Sequence, residues 1–138
     1  MRLFLDANVL FNAAHSPEGR SAAIFELAKA SHCQLVTSPH ALEEARRNLQ
    51  LKSPKAVAAL EPLVEIAALV PEAAPVDVAW AVGERLPPKD APILAAAVSA
   101  GCDVLVTGDK SHFGHLYGRR LRGALVSSPA DALARLLK

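Results

Sequence analysis

The chain has 138 residues, 51% of them hydrophobic and 21% charged, with a formal net charge of +1. That composition describes a globular fold rather than a disordered chain, and the near-neutral charge leaves any nucleic-acid partner to be met by a local basic patch. No run approaches the roughly 18 apolar residues of a membrane span; the longest clean one is Ala91 to Val98.

Cys33 and Cys102 each sit near the start of an apolar run, where a reduced cysteine behaves as a small hydrophobe. With no secretory leader in the sequence, they predict a reducing, cytoplasmic setting and no membrane partner.

Residues 2–5 read as a first strand, with Asp6 to Asn8 as its exit turn and a short helix beginning at Val9. After a loop at 15–19, the apolar positions Ala23, Ile24, Leu27 and Ala28 predict a helix over 20–31. Gln34 to Thr37 is the second strand. Ser38 followed by Pro39 is an N-cap with proline at the first helical position, and opens a helix whose apolar edge is Ala41, Leu42, Ala45 and Leu49. Ser53-Pro54 starts another helix in the same way, which Pro62 is expected to bend or end. Residues 66–70 then read as a strand, 71–75 as a loop and 76–82 as a short helix. Pro87-Pro88 leads into an alanine-rich helix over 90–100, with Gly101 as its stop. The apolar run at 103–107 is the fourth strand, 113–120 is irregular, 123–126 is a last short strand, and Ser128 caps a closing helix over 129–137. Strands alternating with helices in this way predict an α/β fold with a parallel sheet covered on both faces.

Four acids stand at element ends: Asp6, Glu44, Asp90 and Asp109. Asp6 and Asp109 each follow an apolar strand, at the sheet edge where open α/β folds bind ligands. An Asp in either place also serves as a turn residue, and Asp90 also serves as an N-cap. Of the neighbouring pair in the third helix, Glu43 lies away from the apolar stripe and has Arg47 one turn on, whereas Glu44 lies nearer the buried edge beside Asn48. Glu44 is therefore the site candidate. Carboxylates gathered at one edge repel one another unless a cation compensates them, and hard oxygen donors suit Mg²⁺ or Mn²⁺. Such ions activate water against a phosphate ester.

Leu5 to Leu10, Ser38 to Glu44, Lys89 to Ala95 and Leu105 to Lys110 resemble, in order and separation, the four signature segments of PIN-domain ribonucleases. The resemblance covers essentially the whole chain and implies a single PIN-like nuclease domain over residues 1–138. The fold it implies is a three-layer α/β/α sandwich with a central five-stranded parallel sheet. It further implies that Asp6, Glu44, Asp90 and Asp109 bind Mg²⁺ or Mn²⁺ and activate water for RNA cleavage, supported by Asn8 and Thr107. Many stand-alone members are toxins of VapBC-type toxin–antitoxin pairs, which implies an antitoxin partner and a homodimer. One departure stands out. Many members carry a further acid two residues after the position of Asp109, where this chain has Ser111, which puts a second metal in doubt.

Lys110 and His112 are candidates for substrate contact, and Arg46, Arg47, Lys52, Lys55, Arg119, Arg120 and Arg122 for an RNA backbone. His15, His32 and His40 lack the spacing of zinc ligands. Two other readings compete. An Asp6-nucleophile phosphatase of the haloacid-dehalogenase type needs a second acid where Asn8 stands. A PIN-like binding scaffold without catalysis draws only on Ser111.

Overall fold

The computed structural model describes residues 1–138. At its centre are β1 (Arg2–Leu5) and β4 (Val104–Val106), paired in parallel, whose apolar runs are buried because layers cover both sides. β2 (Gln34–Thr37) and β3 (Ala68–Leu69) extend the sheet on one side. β5 (Arg120–Leu121) and β6 (Ala124–Ser127) extend it on the other, giving the order β3-β2-β1-β4-β6-β5. The strand order turns back between β1 and β4, so a crevice opens at their carboxyl ends.

Side chains alternate across a strand, and the core divides accordingly. Leu3, Leu5, Leu35, Val104 and Val106 face one layer. That layer comprises α1 (Ala7–His15), α2 (Arg20–Lys29), α3 (Pro39–Lys52), α4 (Val57–Ile66) and α8 (Pro129–Leu136). Phe4, Val36, Leu105 and Val126 face the other layer, built from α5 (Pro75–Val82), α6 (Ala91–Ser99) and the turn α7 (Lys110–Phe113). The alanines of α6 bring its backbone close to the sheet, and Ala91 and residues 93–97 are all buried. No helix is long and apolar enough to cross a membrane.

The three-layer α/β/α sandwich is as expected, but the sheet has six strands and is mixed rather than five-stranded and parallel. β5 runs antiparallel to β6, pairing Leu121 with Ala124 across a two-residue loop. Both loop residues, Arg122 and Gly123, have positive φ (48° and 93°), the signature of the hairpin turn whose twist suits paired strands. Pro62 neither ends nor interrupts α4. It deprives only the carbonyl of Ala58 of a donor, and both residues are exposed, so water can replace it. Ile66 consequently belongs to that helix and the following strand shrinks to two residues. The buried face of α2 is Ser21, Ala22, Ile24 and Phe25, with Ala23 and Leu27 at its margin.

Candidate active site

β1 delivers Asp6 to the crevice, 2% exposed, and uses it to cap α1, with Oδ1 accepting from the Ala7 N–H at 2.7 Å. Its other oxygen accepts from the Thr107 hydroxyl at 2.8 Å and the Asn8 amide at 3.1 Å. Thr107 follows β4, the neighbouring strand, and is itself fully buried. Its hydroxyl accepts from the Asp109 N–H at 3.2 Å, while its carbonyl accepts from the Tyr117 hydroxyl at 2.7 Å. The Asn8 carbonyl oxygen accepts from Gly108 N–H at 2.7 Å. Asn8 and Thr107 thus tie the ends of β1 and β4 into one hydrogen-bonded unit around Asp6.

Asp90 occupies the N-cap position of α6, yet its carboxylate caps nothing. Pro92, second in the helix, has no N–H to give, and the Ile93 N–H bonds the backbone carbonyl of Asp90 at 3.0 Å. The carboxylate, 3% exposed, is left to face the crevice. The turn before it is held by His40, whose Nε2 donates to the Lys89 carbonyl at 2.9 Å. Lys89 Nζ lies 3.3 Å from Asp90 Oδ1 and 4.0 Å from Glu44 Oε1. The Glu44 side chain is 22% exposed against 65% for Glu43. Glu43 pairs with Arg46 at 3.9 Å rather than with Arg47 as expected, because Arg46 lies between it and Glu61 of α4.

Asp109 is the N-cap of α7, with Oδ1 accepting from His112 N–H at 3.2 Å. Its Oδ2 is 2.9 Å from His112 Nδ1, which is 2.8 Å from Asp90 Oδ2. The approach to Asp90 is close but is not a hydrogen bond, and neither Asp90 Oδ2 nor His112 Nδ1 has any other partner. Carboxylates and an imidazole thus converge at ligand spacing, Asp90, Asp109 and His112 lying within 4.8 Å of one another.

Burial pushes the pKa of Asp6 from 3.8 up to about 6; the Thr107 and Ala7 bonds pull the other way, and the charges of Glu44 and Asp90 add to the rise. For Lys89, burial works against the charge, but Asp90, Glu44 and Asp109 outweigh it and hold the pKa above its usual value. Above the acids lies a cleft of about 380 Å³, walled by Asn8, Glu44, Asn48, Lys89 and Asp109. A second cleft of about 490 Å³ adjoins it at Asn12 and is lined by Arg20, Lys110 and Tyr117.

The model of the family described as "PIN domain" matches residues 2–111. The chain belongs to that family. Among curated proteins, none matches it by sequence. Its fold is shared with several solved structures. VapBC2 from Rickettsia felis, bound to a DNA fragment from its promoter, matches at 17% identity and TM-score 0.67, over 93% of this chain and 98% of the other. PAE2754 from Pyrobaculum aerophilum matches at 21% identity and TM-score 0.72, over 99% of this chain and 90% of the other. DNA-bound VapBC from Salmonella typhimurium matches at 17% identity and TM-score 0.69, over 94% and 98%.

In this PIN domain the four predicted acids share one crevice, with Asn8 and Thr107 beneath them. His112 lies in the acid cluster, whereas Lys110 lies in the adjoining cleft. Of the predicted basic residues, Lys52 lines the first cleft, while Arg122 is taken up by Asp77 at 3.7 Å and by the Trp80 ring at 4.0 Å. Arg46 is spent on Glu43 and Glu61. Arg20, Lys89, His40 and Tyr117 are the side chains of this region that the sequence reading passed over as functional. Only Lys89, next to Asp90 within a signature segment, carried a signal that could have found it.

Proposed function

We propose that residues 1–138 are one PIN-like nuclease domain that cleaves RNA phosphodiester bonds with Mg²⁺ or Mn²⁺ held by Asp6, Glu44, Asp90 and Asp109. The observation that carries this reading is the gathering of four carboxylates at one sheet edge, two of them 2–3% exposed, with Asp90 Oδ2 lacking any hydrogen-bond partner. Burying charge this way is costly without a cation. Lys89 supplies one positive charge; a set dominated by hard oxygen donors fits a divalent ion for the remainder. When bound, such an ion supplies an activated water and charge neutralisation at the phosphate.

The chain's own residues do the rest. Thr107 and Asn8 fix the Asp6 carboxylate through one of its oxygens, at the crevice end of β1. Lys89 holds Glu44 and Asp90 together and leaves donors for a phosphate oxygen. Lys52, Lys110 and Arg20 give the two clefts the local positive charge that a nucleic-acid backbone needs. Asn8 also weakens the phosphatase reading, because its amide is engaged by Asp6 and Gly108 and offers no proton donor to a leaving group. The VapBC likenesses support a toxin of a toxin–antitoxin pair, acting in the cytoplasm as a homodimer and neutralised by an antitoxin.

The test is cleavage of a mixed structured RNA by purified protein in Mn²⁺ or Mg²⁺ against EDTA, with Asp6→Asn beside it. Cleavage that needs metal and disappears in the variant is expected. Cleavage that persists equally in Asp6→Asn would refute the assignment, and none under any condition would favour a binding scaffold.

A further inference from the structure

Ser111 stands where many PIN domains carry a further acid, and it is exposed. The next side chain turns inward instead. We propose that His112 is a metal ligand, its Nδ1 completing with Asp90 Oδ2 and Asp109 Oδ2 a mixed nitrogen–oxygen site that takes Mn²⁺ in preference to Mg²⁺. This rests on the reading of the acids as a metal centre and adds to it a ligand and a metal preference.

The geometry builds the site from three directions. Asp109 gives Oδ1 to the backbone of α7, which leaves Oδ2 directed at His112 three residues on. Asp90, on α6, is 3% exposed and presents an oxygen with no partner to the same nitrogen. The separations of 2.8 and 2.9 Å are close to the roughly 3.0 Å that separates adjacent ligands of an octahedral ion with bonds near 2.1 Å. A pair of carboxylates alone would serve Mg²⁺, but an imidazole nitrogen favours transition ions, and Mn²⁺ accepts both donor types.

The experiment uses the full chain, stripped of metal with a chelator and loaded with Mn²⁺ alone, without RNA. Electron spin-echo modulation is recorded for protein with ¹⁴N- and ¹⁵N-histidine, and calorimetry gives Mn²⁺ and Mg²⁺ affinities for wild type and His112→Asp. Nitrogen modulation that changes isotope with the label and vanishes in His112→Asp is expected. The Mn²⁺-over-Mg²⁺ preference should fall about 10- to 100-fold in that variant, at least the loss seen when a ligand's supporting partner is removed. Mn²⁺ bound without nitrogen modulation would overturn the proposal, leaving an all-oxygen centre or an imidazolium that only bridges two carboxylates. Absence of Mn²⁺ binding would overturn it as well. The nuclease reading fails separately, through loss of the metal dependence of cleavage. The labelled wild type keeps the test decisive even if the variant fails to fold.

Discussion

Asp6→Asn changes one atom in the most buried acid of the site, and its effect on stability can be worked out in advance. The rise of the Asp6 pKa from 3.8 to about 6 is worth about 3 kcal/mol, at about 1.4 kcal/mol for each tenfold change in proton affinity. Because the folded-state value lies above the unfolded one, the folded protein holds the proton more tightly. The associated stability is complete below pH 3.8 and is lost as pH rises through about 6. At neutral pH without metal, the ionised Asp6 therefore weighs against folding. Asparagine carries no charge but turns an N–H toward the Asn8 amide, which loses an acceptor at a cost of about 1–2 kcal/mol. The net expectation is a variant about 1–2 kcal/mol more stable than wild type at pH 7.5 in EDTA, or about 3–8 °C in melting temperature. Urea melts of both proteins from pH 4 to 7.5 should show the gap move in the variant's favour by about 2.4 kcal/mol, because the unfolded chain is already partly ionised at pH 4. Saturating Mn²⁺ should reverse it, since wild type keeps every acid of the site and gains the larger binding free energy, about 2.7 kcal/mol at a hundredfold excess over the dissociation constant. A gap flat across that pH range, or a variant less stable at pH 7.5 in EDTA, would refute the reasoning.

Glu44→Gln is expected to lower metal-dependent cleavage by at least about 10- to 100-fold, whereas Glu43→Gln, on an exposed side chain, should stay within about twofold, as expected for a weak surface ion pair; equal losses would contradict the separation of the two. A methyl group at Gly108 would sit 3.2 Å from Asn8 Oδ1, so Gly108→Ala should push Asn8 away from Asp6. We expect Mn²⁺ affinity by calorimetry to fall about tenfold with less than about 1 kcal/mol lost in urea melts. Gly114→Ala, where the nearest atom lies 4.0 Å away, is the matched control and should leave affinity unchanged.

What the sequence disclosed was what local rules govern. The runs at 2–5, 34–37 and 103–107 are apolar enough to read as buried strands, and Ser38-Pro39 and Ser128-Pro129 announce their helices through caps that the structure shows. The choice of Glu44 over Glu43 followed from a helical wheel, and their unequal exposure agrees with it. Long-range facts were not available to the same rules. Arg122-Gly123 lacks the asparagine or aspartate that usually marks a two-residue hairpin, so β5 went unread. Pro62 was judged by its effect on an isolated helix, although its outward position lets water repair the break. His112 read as a loop residue because its neighbours in space, Asp90 and Asp109, come from two different elements. The freedom of Asp90 from capping depends on Pro92, two residues on in the same sequence segment.

Both margins of the sheet end in strands of only two residues, β3 and β5. A row of unpaired amides and carbonyls is what invites foreign strands to add on and sheets to stack edge to edge. Here that row is too short to template anything, and Pro71 closes one end of it with a residue that cannot donate. Strand addition by another polypeptide is therefore disfavoured at both edges. Any partner docking on this fold would meet helix faces and the mouth of the crevice, and would be held by side chains more than by the main chain.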